Sequence, residues 1–251
     1  MSEWKKEVVK IHHQGRMIYG VSYLPEQKKC PMVIFSHGFN GSHGDFAMNS
    51  EYLASRGIGA FCFDFCGGSV NSKSDFETKE MTLFTEKEDL CAVIDTLREW
   101  ENVDQDYIFL FGGSQGGLVS ALAAEEYIDK IRGLLLLYPA LSIPDNWNER
   151  FPTMDSIPDT VELWGVTLGR AFFETIHGYH TFDHIGKFNK NVLIFHGDQD
   201  NIISLSYGER AAQHYPNARI EVFPGEEHGF SEEANQKVAQ MTYEFVKVNM
   251  N

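Results

Sequence analysis

The 251-residue chain is 43% hydrophobic and sets 21 Lys and Arg against 36 Asp and Glu, a formal charge of −15. That apolar content supports a substantial core, expected as one α/β domain with an insertion, while the charge disfavours nucleic acid and anionic membrane surfaces and suits a neutral or cationic partner. No run of about 18 apolar residues occurs, and Met1 to Glu7 lack the apolar stretch of a secretion signal, so a cytoplasmic location is expected.

Taken in order, the apolar or alternating runs Val8–His12 and Met17–Leu24 flank His13-Gln14-Gly15-Arg16. This pattern predicts a hairpin at one sheet edge, with Gly15 at positive φ. Pro31–Ser36 reads as a short buried strand running into the glycine-rich loop His37-Gly38-Phe39-Asn40-Gly41. A helix is expected from about Phe46 to Arg56, ending at Gly57, then a buried strand from Ile58 to Phe65 that breaks at Gly67-Gly68-Ser69. Residues 70–82 read as a loop, followed by a helix in which Thr85 is the expected N-cap with Glu88 three residues on, and Leu90, Val93, Ile94 and Leu97 form the stripe.

The next stretch organises the rest of the chain. Residues 107–120 run from strand-forming Tyr107-Ile108-Phe109-Leu110-Phe111 into Gly112-Gly113-Ser114-Gln115-Gly116, which fits G-x-S-x-G, and on into a helix over Leu118–Tyr127. In that motif a strand turns so sharply into a helix that the serine takes a strained backbone conformation, and only small neighbours leave room. The Lys of a phosphate-binding P-loop and the G-x-G-x-x-G spacing are both missing. Ser114 is therefore the candidate nucleophile.

Ile131–Tyr138 reads as a central parallel strand ending at Pro139. Residues 140–189 carry three prolines, many aromatic residues and little strand signal, so they are expected to form an inserted cap of short helices between core segments 1–139 and 190–251. Val192–His196 restores the strand pattern and is followed by Gly197-Asp198-Gln199-Asp200, a helix near Tyr207–His214, a strand at Arg219–Phe223 and a last helix from Ser231 to about Val248. Strands alternating with helices imply a mostly parallel sheet covered on both faces, with ligands at the carboxyl ends of the strands.

A serine hydroxyl needs a base, and that base needs a carboxylate to hold its tautomer. His228, after the strand ending at Phe223, combines a strand end with the flexible neighbour Gly229 and is the expected base; His12, His13, His43 and His214 read as solvated, and His196 as a strand-end residue. The acid is Asp200 or Asp198. A turn over Gly197-Asp198-Gln199 would present Asp200 and leave Asp198 for turn hydrogen bonds, so Asp200 is preferred. The backbone N–H groups of Phe39 and Gln115 are the candidate oxyanion donors.

A rival reading is a metal site at His177, His180 and His184, which fall at i, i+3 and i+7 beside Asp183. Gly178 and Gly186 weaken any helix there, and the spacing is not H-E-x-x-H, so no metal is expected. Cys30, Cys62, Cys66 and Cys91 show no C-x-x-C pair, and no disulfide is expected.

With these motifs the chain resembles the α/β-hydrolase superfamily, whose oxyanion loop, nucleophile turn, acid loop and base loop match His37–Gly41, Gly112–Gly117, His196–Asp200 and His228. Val166–Phe173, His177–Ile185 and Val192–Asp200 are further similar to bacterial cinnamoyl or feruloyl esterases. That resemblance implies a cofactor-free serine carboxylesterase acting on small esters under a small cap; a monomer or homodimer is expected. In that family the acid lies three residues past the glycine, which points to Asp200. Phe172 stands where a cap tyrosine would meet the phenol, and Cys66-Gly67-Gly68-Ser69 replaces the usual Gly-x-Gly-x-Ser. Trp164 and Phe172 are the candidate substrate contacts. A peptidase, thioesterase or lipase of the same chemistry, or a noncatalytic ligand-binding member of the fold, are the alternatives.

Overall fold

The computed structural model describes residues 3–26 and 29–250. It contains an eight-stranded sheet in the order β1-β2-β4-β3-β5-β6-β9-β10. These strands are β1 (Trp4–His13), β2 (Arg16–Pro25), β3 (Cys30–Ser36), β4 (Gly59–Phe63), β5 (Val103–Gly113), β6 (Gly133–Leu137), β9 (Asn191–Gly197) and β10 (Ala218–Phe223). β1 pairs antiparallel with β2, and β2 with β4; every pairing from β4 to β10 is parallel. This is the mostly parallel sheet with helices on both faces that the alternating strands and helices imply.

The central strands carry uninterrupted apolar runs, Met32–Phe35, Ile108–Phe111, Leu134–Leu137 and Val192–Phe195, because the sheet is covered on both faces. Successive side chains feed two cores: Met32, Ile34, Ile108, Leu110, Leu134, Leu136 and Ile194 enter one, while Val33, Phe35, Phe109, Phe111, Leu135, Leu137 and Phe195 enter the other. The first core is closed by α2 (Leu83–Arg98), α3 (Gln115–Glu126) and α6 (Leu205–His214), and the second by α1 (Ala47–Ala54) and α7 (Glu232–Val248). Each fully buried Phe or Leu contributes about 1.5–3 kcal/mol, so this alternation is what locks the register of the strands.

The hairpin joining β1 and β2 turns at Gln14 (φ 48°) and Gly15 (φ 80°), the paired positive φ values of a type I′ turn. Helix α2 corrects the expected cap. Its N-cap is Thr82, whose hydroxyl accepts from Thr85 N–H at 3.0 Å, and Thr85 closes the box from the third helical position, accepting from Thr82 N–H at 2.8 Å. The box runs Thr to Thr, one turn earlier than the Thr85–Glu88 spacing suggested.

Between β6 and β9 the chain forms α4 (Ile143–Arg150), a 3-10 turn at Met154–Ser156, the strands β7 (Thr160–Leu163) and β8 (Val166–Gly169), α5 (Arg170–Thr175) and a 3-10 turn at Thr181–Asp183. The expectation of helices alone is thus corrected. β7 and β8 pair antiparallel across Trp164 (φ 49°) and Gly165 (φ 80°), again a type I′ turn. Val161, Val166 and Leu168 of this hairpin are buried in the same core as Phe172 and Phe173 of α5. Thr78 Oγ1 donates to Thr167 O at 2.7 Å, tying the hairpin to the loop before α2.

Candidate active site

β5 ends at Gly113 and α3 begins at Gln115, so Ser114 alone makes the turn, at φ 51° and ψ −118°. An L residue held there stores about 1–3 kcal/mol of strain. Hydrogen bonds on both sides hold it: Ser114 N–H donates to Leu137 O at 2.9 Å, and Ser114 O accepts from the N–H groups of Gly117 and Ala140 at 2.9 Å each. A Cβ on Gly116 would strike the Ser36 and His37 carbonyls, so glycine is what lets α3 start this close to β3.

The parallel strands deliver their carboxyl ends to one rim. There the Ser114 hydroxyl donates to His228 Nε2 at 2.9 Å, and His228 Nδ1–H donates to Asp200 Oδ2 at 2.8 Å. The Asp200 side chain is fully buried, and its other oxygen accepts from the N–H groups of Ile202 and Ile203 at 2.9 and 2.8 Å. Asp198 stands apart: it is exposed, and its carboxylate accepts from Gly225 N–H at 2.7 Å, bracing the turn below His228.

The loop after β3 faces Ser114 from the other side. A Cβ on Gly38 would lie 3.1 Å from Ser114 Cβ, which brings the Phe39 amide alongside the serine. Gln115 opens α3, where a helix has no acceptor of its own for the N–H. Among the described residues neither the Phe39 nor the Gln115 amide is spent on another acceptor. Three contacts brace this loop. His37 Nδ1–H donates to Gly38 O at 2.7 Å while Nε2 accepts from Phe65 N–H at 3.1 Å; burial pushes its pKa down, keeping the ring neutral for that role. Asn40 N–H donates to Gly68 O at 3.1 Å, and its side-chain oxygen accepts from Ser69 Oγ and Val70 N–H. Buried Asp64 accepts from both the backbone and ring nitrogens of His43.

Two pockets meet at Ser114. One, of about 420 Å³, is walled by Leu163, Leu168, Trp147 and Phe172, with Gln115 and Ile202 also lining it; the other, of about 360 Å³, holds Tyr138, His228 and Phe230. Phe39 and Trp164 line both. Trp164, 67% exposed at the β7–β8 tip, packs edge-on to Phe39 at 6.0 Å between ring centres. Phe172 is buried against Phe173 and presents no polar atom. Tyr138 lies 4.5 Å from the His228 ring, and burial raises its phenol pKa to about 12.

Several residues escaped the sequence reading. His43 is paired with Asp64 and largely withdrawn from water, whereas His214 is exposed, as expected, and its ring shares a hydrogen bond of 2.9 Å with Ile185 O. His196 is fully buried beside Asp200, and Glu86 is buried against Gln115. The cap histidines do not share a helical face: His180 lies 3.4 Å from Asp145, and His184 stacks on Tyr179 at 4.0 Å. Among the described residues no cluster of three or more His, Cys, Asp or Glu has the geometry to hold a metal ion. Cys30, Cys62, Cys66 and Cys91 are all buried.

Known proteins agree with this architecture. The structure of Est1E from Butyrivibrio proteoclasticus with ferulic acid bound matches with a TM-score of 0.88 at 27% identity, covering 96% of this chain and 99% of that one. A monoacylglycerol lipase from Paleococcus ferrophilus shares the fold, with a TM-score of 0.70 at 19% identity over 92% of this chain and 99% of its own. Among curated proteins, mouse (lyso)-N-acylphosphatidylethanolamine lipase is 27% identical over 131 residues, 52% of this chain and 36% of that protein; the matched region thus spans about a third of its relative. The family described as serine aminopeptidase, S33, matches residues 27–178, more than half of the sequence. The chain is an α/β hydrolase and belongs to the serine aminopeptidase S33 family.

Proposed function

We propose that the protein is a cofactor-independent serine carboxylesterase that hydrolyses small esters with an apolar, often aromatic, acyl group through an acyl-enzyme. The observation that carries this reading is the unbroken hydrogen-bonded chain Ser114–His228–Asp200, at 2.9 and 2.8 Å. Ser114 Oγ attacks the ester carbonyl carbon while His228 Nε2 takes its proton. The resulting oxyanion is held by the Phe39 and Gln115 amides, an arrangement in which each donor is worth about 2.7–4 kcal/mol. Collapse breaks the bond to the alkoxy oxygen, which leaves as an alcohol with the proton from His228. Water, deprotonated by the same imidazole, then attacks the acyl carbon and releases the acid and Ser114. Asp200 orients His228 and stabilises its charged form without taking its proton.

The pocket supports an ester over a peptide amino terminus. An aminopeptidase must hold an α-ammonium group; the charged side chain lining the larger pocket is Arg150, of the wrong sign for that, and Asp45, which lines the smaller one, has both carboxylate oxygens accepting from Ser42. The apolar wall of Leu163, Leu168 and Phe172 suits a flat or aliphatic acyl chain, and Est1E, the relative solved with ferulic acid, argues for an aromatic one.

The test is turnover of p-nitrophenyl esters with fluorophosphonate labelling of the serine. Labelling and activity are expected to vanish together in Ser114→Ala; survival of either would overturn the assignment. A panel of methyl hydroxycinnamates, short aliphatic esters, monoacylglycerols and aminoacyl anilides then ranks the substrate classes, with the hydroxycinnamates expected first.

A further inference from the structure

Helix α2 carries a carboxyl group that the triad does not use. Glu86 is 1% exposed and accepts from Gln115 Nε2 at 2.9 Å; Gln115 is itself 2% exposed and follows the nucleophile directly. Met81 Sδ lies 3.8 Å from the same amide nitrogen. A Cβ on Gly68 would come within 3.2 Å of both Glu86 Oε1 and His37 Cε1, so Gly68 packs between Glu86 and the base of the oxyanion loop.

Resting on the esterase reading above, we propose that Glu86 is a positioning residue for oxyanion stabilisation: its carboxyl group anchors the buried Gln115 side chain and so fixes the first backbone amide of α3 where the oxyanion forms. Two features support the link. The hydrogen bond joins two side chains withdrawn from water, where a misplaced partner leaves a buried polar group unsatisfied. The position is also next to the charge that develops on the substrate, so a carboxylate there opposes the oxyanion through a medium of low dielectric.

The groups facing Glu86 decide in which form it rests. From its own helix, Asp89 is fully buried one turn on; it accepts from Cys66 N–H at 2.8 Å and pairs with Arg16 Nε of β2 at 2.8 Å. The Arg16 charge is therefore held on Asp89, with its other nitrogen on Glu88 at 3.2 Å. From the loop after β3, His37 is neutral, and from α3, Gln115 offers an uncharged donor. Among the described residues Glu86 thus pairs with no cation. Burial raises its pKa to about 8, with Asp89 adding to the rise and the Gln115 hydrogen bond opposing it. At pH 7 the carboxyl is mostly protonated, and the charge appears just above neutrality.

The experiment is the pH dependence of kcat for a p-nitrophenyl ester from pH 6 to 10, in the parent, Glu86→Gln and Glu86→Ala. The parent is expected to lose about tenfold in kcat, about 1.4 kcal/mol of barrier, with a midpoint near pH 8. Glu86→Gln keeps an acceptor for Gln115 but cannot ionise, so its profile is expected to stay level above pH 7, where the parent declines. Glu86→Ala is expected to lower kcat at every pH with little change in KM, and the Gln variant to restore it at pH 6.5. A parent profile level above pH 7, or a Gln variant that declines in step with the parent, overturns the proposal. Should the Ala variant not fold, the parent and Gln profiles decide alone. Ser114→Ala separates the two readings: if it stays active the esterase assignment falls, whereas if it is inert and Glu86→Gln tracks the parent only the role of Glu86 falls.

Discussion

The His196 ring lies against the Asp200 carboxylate, its Nε2 3.0 Å from Ile203 O and 3.4 Å from Asp200 Oδ2. The N–H points at the Ile203 carbonyl and leans on Asp200, so one imidazole braces the turn that presents the acid. Its other nitrogen is buried without a hydrogen-bond partner among the described residues, and Gly208 of α6 packs so close that a Cβ there would lie 2.7 Å from it. Burial drives the His196 pKa down, and the ring stays neutral. His196→Ala is expected to lower kcat about tenfold by loosening Asp200, with a cavity and an unpaired carbonyl costing about 2–4 kcal/mol of stability. Steady-state kinetics alongside urea denaturation check this; unchanged kcat with reduced stability would reduce His196 to a packing residue.

Strain at the nucleophile makes a second, opposite-signed expectation. Ser114 holds φ 51° and ψ −118°, which glycine adopts with little cost. Ser114→Gly should abolish turnover yet raise the unfolding free energy by about 1–2 kcal/mol, a Tm gain of about 2–8 °C for a chain of this size. Calorimetry of the parent and variant under one buffer reads it directly. A lower Tm would mean that the serine side chain contributes more through its hydrogen bond to His228 than its backbone costs.

Local chemistry explains which of these features were legible in the sequence. The turn at Ser114 and the strand-end placement of His228 and Asp200 each depend on a few adjacent residues, so motif and period sufficed to nominate the residues that the fold brings within 3 Å of one another. Glu86, His37 and His43 act through partners 29, 28 and 21 positions away, and His196 through a burial beside Asp200 that no spacing encodes. The β7–β8 hairpin was lost because each strand has four residues, although Val161 and Leu163 before Trp164-Gly165, and Val166 and Leu168 after it, carried a weak period of two. The α2 cap differs because Thr82 and Thr85 are both good N-cap residues, and Thr82 takes the extended backbone of a cap while Thr85 sits at the third helical position.

Acyl specificity should turn on Phe172. It walls the larger pocket and offers no hydrogen bond to a substituted ring. Phe172→Tyr adds a hydroxyl that is otherwise poorly satisfied in an apolar wall, so a phenolic substrate gains more than its unsubstituted analogue. The ratio of kcat/KM for methyl ferulate over methyl cinnamate is expected to rise about three- to tenfold, corresponding to one neutral hydrogen bond of about 0.5–1.5 kcal/mol. An unchanged ratio would place the ring substituents in another part of the pocket.

Glu86 also leaves a signature in stability that needs no substrate. Its pKa is about 8 in the folded chain against an ordinary 4.5, so between those values the folded state binds a proton that the unfolded state has released. Stability contributed by this group is therefore greatest below pH 4.5 and declines as pH rises through the window, levelling off above pH 8. The buried neutral rings of His37 and His196 act in the other direction, since both are held below 6.5 and lose stability as pH falls under that value. Subtracting the parent from Glu86→Gln cancels the histidines, which both proteins share. The stability of the Gln variant relative to the parent should rise steadily from pH 5 to pH 8 in urea denaturation; a difference independent of pH would mean that the carboxyl is already ionised, and solvated, in the folded chain.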